Sequence, residues 1–329
     1  MSASSVSRRR FLGSVAAAGV VGPLVLASSG RGAPSDRINV GFIGVGTMGR
    51  GHLGRFVGYG DVQVVAVCDV ESTRRESAQK MVEDRYAKQA DKGSYKGCRA
   101  FNDFRELLAV EGLDAVLIAT PDHWHALTAI AAAKAGKDIY CEKPLARTIG
   151  EGRAMCIAVA ERKIIFQTGS QQRSEFGGRF RTAVELIHNG HIGAIKTIRI
   201  GVSEPNIPCD LPEQPIPAGT DWNLWLGPAP LRGYNEILCP KGIHSGFPAW
   251  RRYREYAGGG VADMGAHHFD IAQWALGMDK SGPVMIVHET TGASPLSHVS
   301  QRPANAKGWP LLSTKRYGCL VLASSFCHS

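Results

Sequence analysis

One stretch near the start constrains this chain more than any other. Residues 38–49 read Ile-Asn-Val-Gly-Phe-Ile-Gly-Val-Gly-Thr-Met-Gly, an apolar β-branched run followed at once by Gly44-x-Gly46-x-x-Gly49. Gly44 permits a tight turn, Gly46 lets a pyrophosphate approach the backbone, and Gly49 lets the next helix pack closely on the strand. That helix, opening at Thr47 and Met48, offers unpaired N–H groups and a partial positive charge to phosphates. A glycine motif alone is weak evidence, but a second apolar run, Val64–Cys68, follows and ends at Asp69. Asp69 lies about 20 residues beyond Gly49, where a carboxylate suits a ribose hydroxyl pair. It would repel a 2′-phosphate, so NAD leads. Arg74 and Arg75 stand just beyond and keep NADP open, although their plainer reading is a solvated helix face.

From Ile38 onward, short β-branched runs alternate with helical patterns, as in a parallel sheet with crossover helices. The predicted strands are 39–43, 62–68, 115–119, 138–141 and 164–167. The predicted helices follow the glycine loop and then cover 72–86, 103–108, 123–135 and 150–162. The expected organisation is a leader over 1–35, a Rossmann domain over 36–173, a partial α/β substrate domain over 174–284, and an atypical, poorly ordered tail over 285–329.

The chain opens with Ser7-Arg8-Arg9-Arg10-Phe11-Leu12 and a modest Ala/Gly/Val-rich stretch to about Ala27. This reads as a twin-arginine signal, predicting export to the periplasm through the twin-arginine translocation machinery. Gly13, Gly19, Gly22 and Pro23, with fewer than the ~20 apolar residues a span needs, argue against stable membrane insertion. The formal charge of +9 sits mostly at the ends. Residues 1–37 hold five arginines against Asp36, and residues 285–329 hold Arg302, Lys307, Lys315 and Arg316 against Glu289. The middle is near neutral, which excludes a nucleic-acid-binding stripe. The eight cysteines show no paired spacing, and Cys68 and Cys141 read as buried free thiols.

Chemistry is expected at the carboxyl ends of the strands, where open α/β sheets place ligands. Thr120-Pro121-Asp122-His123-Trp124-His125 ends one strand. No ligand set at metal spacing accompanies His123 and His125, so a helix-start role beside the cofactor is favoured and no metal is expected. Glu142-Lys143-Pro144 ends the next strand; an ammonium there can stabilise an alkoxide and relay a proton while hydride moves. Proline at 144 suits a cis bond pressed against the nicotinamide. On a helix beginning after Gly260, Asp263, His267, Asp270 and Trp274 share one face. A histidine one turn from a carboxylate can be held in one tautomer as a base.

Together these residues resemble the Gfo/Idh/MocA oxidoreductases, over about Asp36–Val284. The resemblance rests on Gly44/Gly46/Gly49, Thr120-Pro121, Glu142-Lys143-Pro144, Gly169-Ser170-Gln171-Gln172-Arg173 and Asp263-x-x-x-His267. It implies a Rossmann domain followed by an α/β domain with an open, mostly antiparallel sheet. It implies a catalytic set of Lys143, Asp263 and His267, with His267 moving the proton, Asp263 tuning it and Lys143 polarising. Cofactor contacts are expected at Gly44, Gly46, Thr47, Met48, Gly49, Asp69, Thr120, Pro121, His125, Glu142 and Lys143, and substrate contacts at Gln172, Arg173 and Asp270. The implied reaction is NAD(P)-dependent oxidation of a sugar, sugar acid or cyclitol. The alternatives are an NAD-dependent glycosidase working by transient oxidation and elimination, and an impaired cofactor-binding relative. The resemblance implies homo-oligomers, formed through the second sheet, for full-length members, an expectation that the incomplete sheet puts in doubt for this chain. After Val284 the family pattern breaks, and the segment to Ser329 reads as a truncated or frameshifted end that leaves the second sheet incomplete; the competing reading is a genuine short variant with its own terminal segment.

Overall fold

The computed structural model describes residues 37–88, 95–282 and 312–313. The leader and almost all of the tail fall outside them. Six parallel strands form one sheet in the order β3-β2-β1-β4-β5-β6. They are β1 (Ile38–Ile43), β2 (Val62–Cys68), β3 (Arg99–Phe101), β4 (Ala115–Ile118), β5 (Asp138–Glu142) and β6 (Phe166–Gly169). Between them run α1 (Thr47–Phe56), α2 (Ser72–Ala87), α3 (Phe104–Leu108), α4 (Asp122–Lys134) and α5 (Ile149–Arg162). This is the doubly wound dinucleotide-binding order, which reverses direction between β1 and β4 and opens a crevice there.

Local chemistry explains the element ends. The Glu71 carboxylate caps α2 by accepting from Arg74 N, Asp103 caps α3, and Thr148 with Glu151 makes a reciprocal capping box on α5. The glycine loop leaves α1 without any side-chain cap. Burial on both faces follows from the near-continuous apolar strands. One face packs Phe42, Leu53, Val64 and Val82, and the other packs Ile43, Leu107, Ile118 and Ala132.

The second half differs from expectation. The anticipated open, mostly antiparallel sheet is not what forms: among the described residues the second sheet has two strands, β7 (Ile198–Arg199) and β8 (Leu312–Ser313), paired in parallel. Each of these strands is only two residues long. The sequence between them supplies the reason. Pro205, Pro208, Pro212, Pro215 and Pro217 interrupt the chain, and a proline cannot donate to a ladder. What replaces a sheet there is an aromatic cluster, with Trp222 and Trp225 stacked at 4.7 Å and Tyr234, Trp250 and Tyr256 packed around them. Trp225 sits on α7 (Trp222–Leu226), following α6 (Arg179–His188).

The helix expected after Gly260 is broken in two. α8 (Gly259–Ala262) ends at Asp263, whose ψ of −81° departs from helical geometry, and α9 (Met264–Ala275) continues. Among the described residues no helix is long and apolar enough to cross a membrane.

Candidate dinucleotide and catalytic site

An open cleft lies at the carboxyl edge of the sheet, between β1 and β4. Its floor is the glycine loop. Gly44 has φ +85°, and a Cβ there would lie 2.7 Å from Ala119 O. A Cβ on Gly49 would lie 2.0 Å from Gly44 O, so helix and loop touch backbone to backbone. Around Gly46, in contrast, a Cβ would meet nothing within 4 Å. That open space in front of the uncapped N-terminus of α1 is a cradle for an anion. Thr120 and Thr128 line the same cleft, and each has a buried Oγ1 with no partner among the described residues. Open cradle, free helix dipole and waiting hydroxyls all fit a dinucleotide.

Asp69 stands at the end of β2, on the cleft wall. Its carboxylate accepts from Val45 N and Glu71 N, each at 3.0 Å, which ties the glycine loop to the end of β2. Arg74 is not on a solvated face. It is 7% exposed, with its Nε 3.6 Å from Asp69 and 3.5 Å from Glu71, and its Nη2 reaches Cys239 Sγ at 3.2 Å. Burying an unpaired guanidinium is costly, so it sits among carboxylates. Arg75 donates to Asp69 O and to Asn102 Oδ1. Both arginines are therefore engaged within the protein.

The reactive end is built on the next two strand ends. Lys143 follows β5, and its peptide bond to Pro144 is cis. Its Nζ donates to Asp263 Oδ1 and, at 3.2 Å, to Asp263 O, which the break between α8 and α9 turns toward it. His267 stands one turn along α9; burial and the Lys143 charge both hold its pKa below the ordinary histidine value. It is thus a neutral imidazole able to accept a proton. The cleft connects to this group through Arg251, a cleft-lining residue whose Nε lies 3.9 Å from Asp263 Oδ2.

Several residues expected at the cofactor are engaged with other protein groups. Glu142 is 4% exposed and pairs with His52 Nε2 at 2.7 Å, while Gln171 donates to the same oxygen. His125 spans two loops, with Nδ1 2.6 Å from Pro144 O and Nε2 2.9 Å from Thr120 O, and burial lowers its pKa. It sets the spacing between the Thr120-Pro121 turn and the lysine loop. Thr47, Met48, Thr120 and Pro121 line the cleft directly. Arg173 and Asp270, expected at the substrate, are joined to each other. Arg173 makes paired contacts to Asp270 at 2.7 and 2.6 Å and to Asp279 at 3.0 and 2.8 Å, and stacks on Trp274. Gln172 beside them has a buried Oε1 without a partner among the described residues.

Sequence reasoning passed over three participants. His52, the partner of Glu142, lies 90 residues away from it and carries no local signal. Arg251 was readable only as a cation beside Trp250 just before a glycine run. Asp122, at the start of α4, is 5% exposed, and burial pushes its carboxyl up to about 7.

The chain matches the profile of the Gfo/Idh/MocA oxidoreductase family, NAD-binding Rossmann fold, over residues 38–170, and that of the family's C-terminal α/β domain over residues 208–299. The second match runs past Val284, where the family pattern was expected to stop. Inositol 2-dehydrogenase of Salmonella typhimurium is 31% identical over 158 residues, covering 47% of this chain and 43% of that protein. Levoglucosan dehydrogenase of Pseudarthrobacter phenanthrenivorans is 30% identical over 218 residues, covering 66% and 44%. The chain therefore spans less than half the length of these relatives. A putative NADPH-dependent oxidoreductase from Desulfitobacterium hafniense shares the fold, with a TM-score of 0.50 at 20% identity, covering 74% of this chain and 55% of that one.

Proposed function

Because the chain belongs to the Gfo/Idh/MocA oxidoreductase family, we propose that it is an NAD-dependent dehydrogenase acting on a secondary hydroxyl of a sugar, sugar acid or cyclitol. The observation that carries this reading is the junction of Lys143 with Asp263, beside His267, at the reactive end of a cleft whose floor is the Gly44–Gly49 loop. When bound, NAD supplies the hydride acceptor. The Gly46 cradle, the α1 N-terminus and Asp69 would hold it, together with the Thr120 and Thr128 hydroxyls.

The chain's own residues handle the proton. His267 is kept neutral by burial and by the Lys143 charge, so it takes the hydroxyl proton. Lys143, held by Asp263, places its positive charge where the oxygen becomes negative, and Asp263 also supports the charged imidazole that results. The reverse transfer reduces the matching ketone. Two of the relatives are named as dehydrogenases of inositol and of levoglucosan, which supports a substrate of this class.

The leader motif Arg8–Leu12 supports delivery by twin-arginine export, a route that carries folded proteins. Replacing Arg8 and Arg9 by lysine should trap the protein in the cytosol uncut; unchanged processing would reject the route.

The activity is tested by incubating the purified protein with NAD and a panel of cyclitols, hexoses, hexuronates and levoglucosan while following NADH absorbance. NADH formed with at least one of them is the expected result. Cleavage of a nitrophenyl glycoside without net NADH would instead move the chain to the glycosidase reading. NAD binding with neither outcome would make it an impaired relative.

A further inference from the structure

Arg251 is a cation on the cleft wall that neither the cofactor nor the proton chemistry uses. It lies in the tight turn Ala249–Arg252. Ile207 pins that turn, donating to Arg252 O at 2.8 Å and accepting from Arg254 N at 2.9 Å. Its guanidinium carbon lies 4.2 Å from the Trp250 ring centroid and 4.8 Å from that of Phe247. Two rings therefore fix the plane of the fork and the direction it faces.

The fork is short of partners. A guanidinium has five N–H donors. Here Nη1 makes one long contact to Pro248 O at 3.4 Å, and Nε stands 3.9 Å from Asp263 Oδ2, beyond hydrogen-bond reach. Nη2 has no protein partner among the described residues. Arg173, by contrast, has four contacts to two carboxylates. Burial strips water from the Arg251 charge and lowers its pKa, and the Asp263, Asp122 and Glu142 carboxylates only partly offset this.

The local charges also leave an anion wanting. Asp263 is already taken by Lys143, so one carboxylate serves two cations. Glu142 is occupied by His52 and Gln171. Burial keeps the Asp122 carboxyl largely protonated below about pH 7. The wall next to the reacting hydroxyl thus sets two cations, Lys143 and Arg251, against one carboxylate in contact with them, Asp263, and leaves an edge of the Arg251 fork shaped for two oxygens.

We propose that Arg251 anchors a carboxylate on the substrate, so that this site takes a sugar acid, such as a hexuronate, in preference to a neutral hexose or cyclitol. The inference rests on the dehydrogenase reading for which atom reacts, but not for what binds. A cofactor phosphate is the other source of a suitable oxyanion. It has its own donors at the α1 N-terminus, whereas the charged neighbours of Arg251 are those of the reactive end.

The test is calorimetric titration of the protein–NADH complex with D-galacturonate, D-glucuronate, D-galactose and D-glucose, on the parent protein and on Arg251→Gln and Arg251→Lys. The uronates are expected to bind at least ~10-fold tighter than the matching hexoses. Arg251→Gln is expected to weaken them by about 10–100-fold, the range for a charged hydrogen-bonded pair, with NADH and hexose affinities unchanged. Arg251→Lys should fall between, and it carries the test alone if the glutamine variant does not melt cooperatively. Equal affinity for acid and hexose, or uronate binding untouched by both variants, overturns the proposal. Loss of NADH affinity in the variants also overturns it, assigning Arg251 to a cofactor phosphate. Uronate binding without oxidation of any panel compound would leave the anchor standing and reject the dehydrogenase; NADH formed equally well from neutral polyols would do the reverse.

Discussion

Asp122 and His123 open α4 side by side and bind protons in opposite senses. Burial lifts the Asp122 carboxyl from 3.8 to about 7 and drops the His123 imidazole from 6.5 to about 4. For Asp122 the folded state holds the proton more tightly than the unfolded chain. Its contribution to stability is complete below about pH 4 and is lost as pH rises to about 7. For His123 the unfolded chain binds the proton more tightly, so its contribution is complete above about pH 6.5 and is lost as pH falls toward 4. At about 1.4 kcal/mol per pKa unit, each amounts to roughly 3–4 kcal/mol, and the two nearly offset each other in the parent protein. Asp122→Asn removes one arm of this balance. The variant is expected to gain up to about 4 kcal/mol over the parent at pH 8, on the order of 10 °C in melting temperature. The gain should shrink to about zero near pH 4, where both side chains are neutral. Urea unfolding followed by circular dichroism at several pH values measures the difference directly. A constant offset between variant and parent across that range, or a less stable variant at pH 8, would refute the reasoning.

Three further outcomes are expected. Lys143→Ala and His267→Ala should each leave the NAD dissociation constant within a few-fold while turnover falls by about 10²–10⁴, because a positioned acid or base contributes that much; equal loss of affinity and rate would contradict their assignment. Gly49→Ala places a methyl 2.0 Å from Gly44 O, so the loop must shift: NAD affinity should drop at least ~10-fold with the far-ultraviolet spectrum little changed. Arg173→Ala leaves Asp270 and Asp279 without their shared cation and should destabilise the protein by about 2–4 kcal/mol in urea, whereas a substrate-contact role for Arg173 would raise KM with no loss of stability.

Much of the first half was readable because its signals are local. Glycine spacing, β-branched runs and capping residues are all contained within a few positions, and β1, β2, α2 and α5 begin or end within a residue or two of their expected limits. β3 escaped notice since Arg99-Ala100-Phe101 has no β-branched residue and only three positions, its strand character coming from pairing with β2. Arg74 was misplaced because the partners that draw it inward include Cys239, far along the chain. The second half was opaque for a different reason. Its order depends on stacked rings and isolated bridges such as Ile207 with Tyr253, which leave no period in the sequence. The expected run of Asp263, His267, Asp270 and Trp274 on one helix held for three of the four. His267, Asp270 and Trp274 share α9, but Asp263 sits at the break that precedes it.

The contact between His123, Trp124 and Trp225 governs how this scaffold can be recombined. A single carbonyl, Trp225 O, accepts from His123 Nε2 and from Trp124 Nε1, each at 3.0 Å. Asn102 reaches Asp221 at 2.8 Å along the same seam. A chimera that joins this Rossmann half to a relative's substrate half at the apparent boundary near Ser170 would discard that acceptor and strand two buried donors, a loss of about 1–3 kcal/mol for each. The workable crossover lies some sixty residues later, after Gly227, so that α7 travels with the α4 residues bonded to it. For engineering, the unit that moves as one piece is longer than the domain that binds the nucleotide.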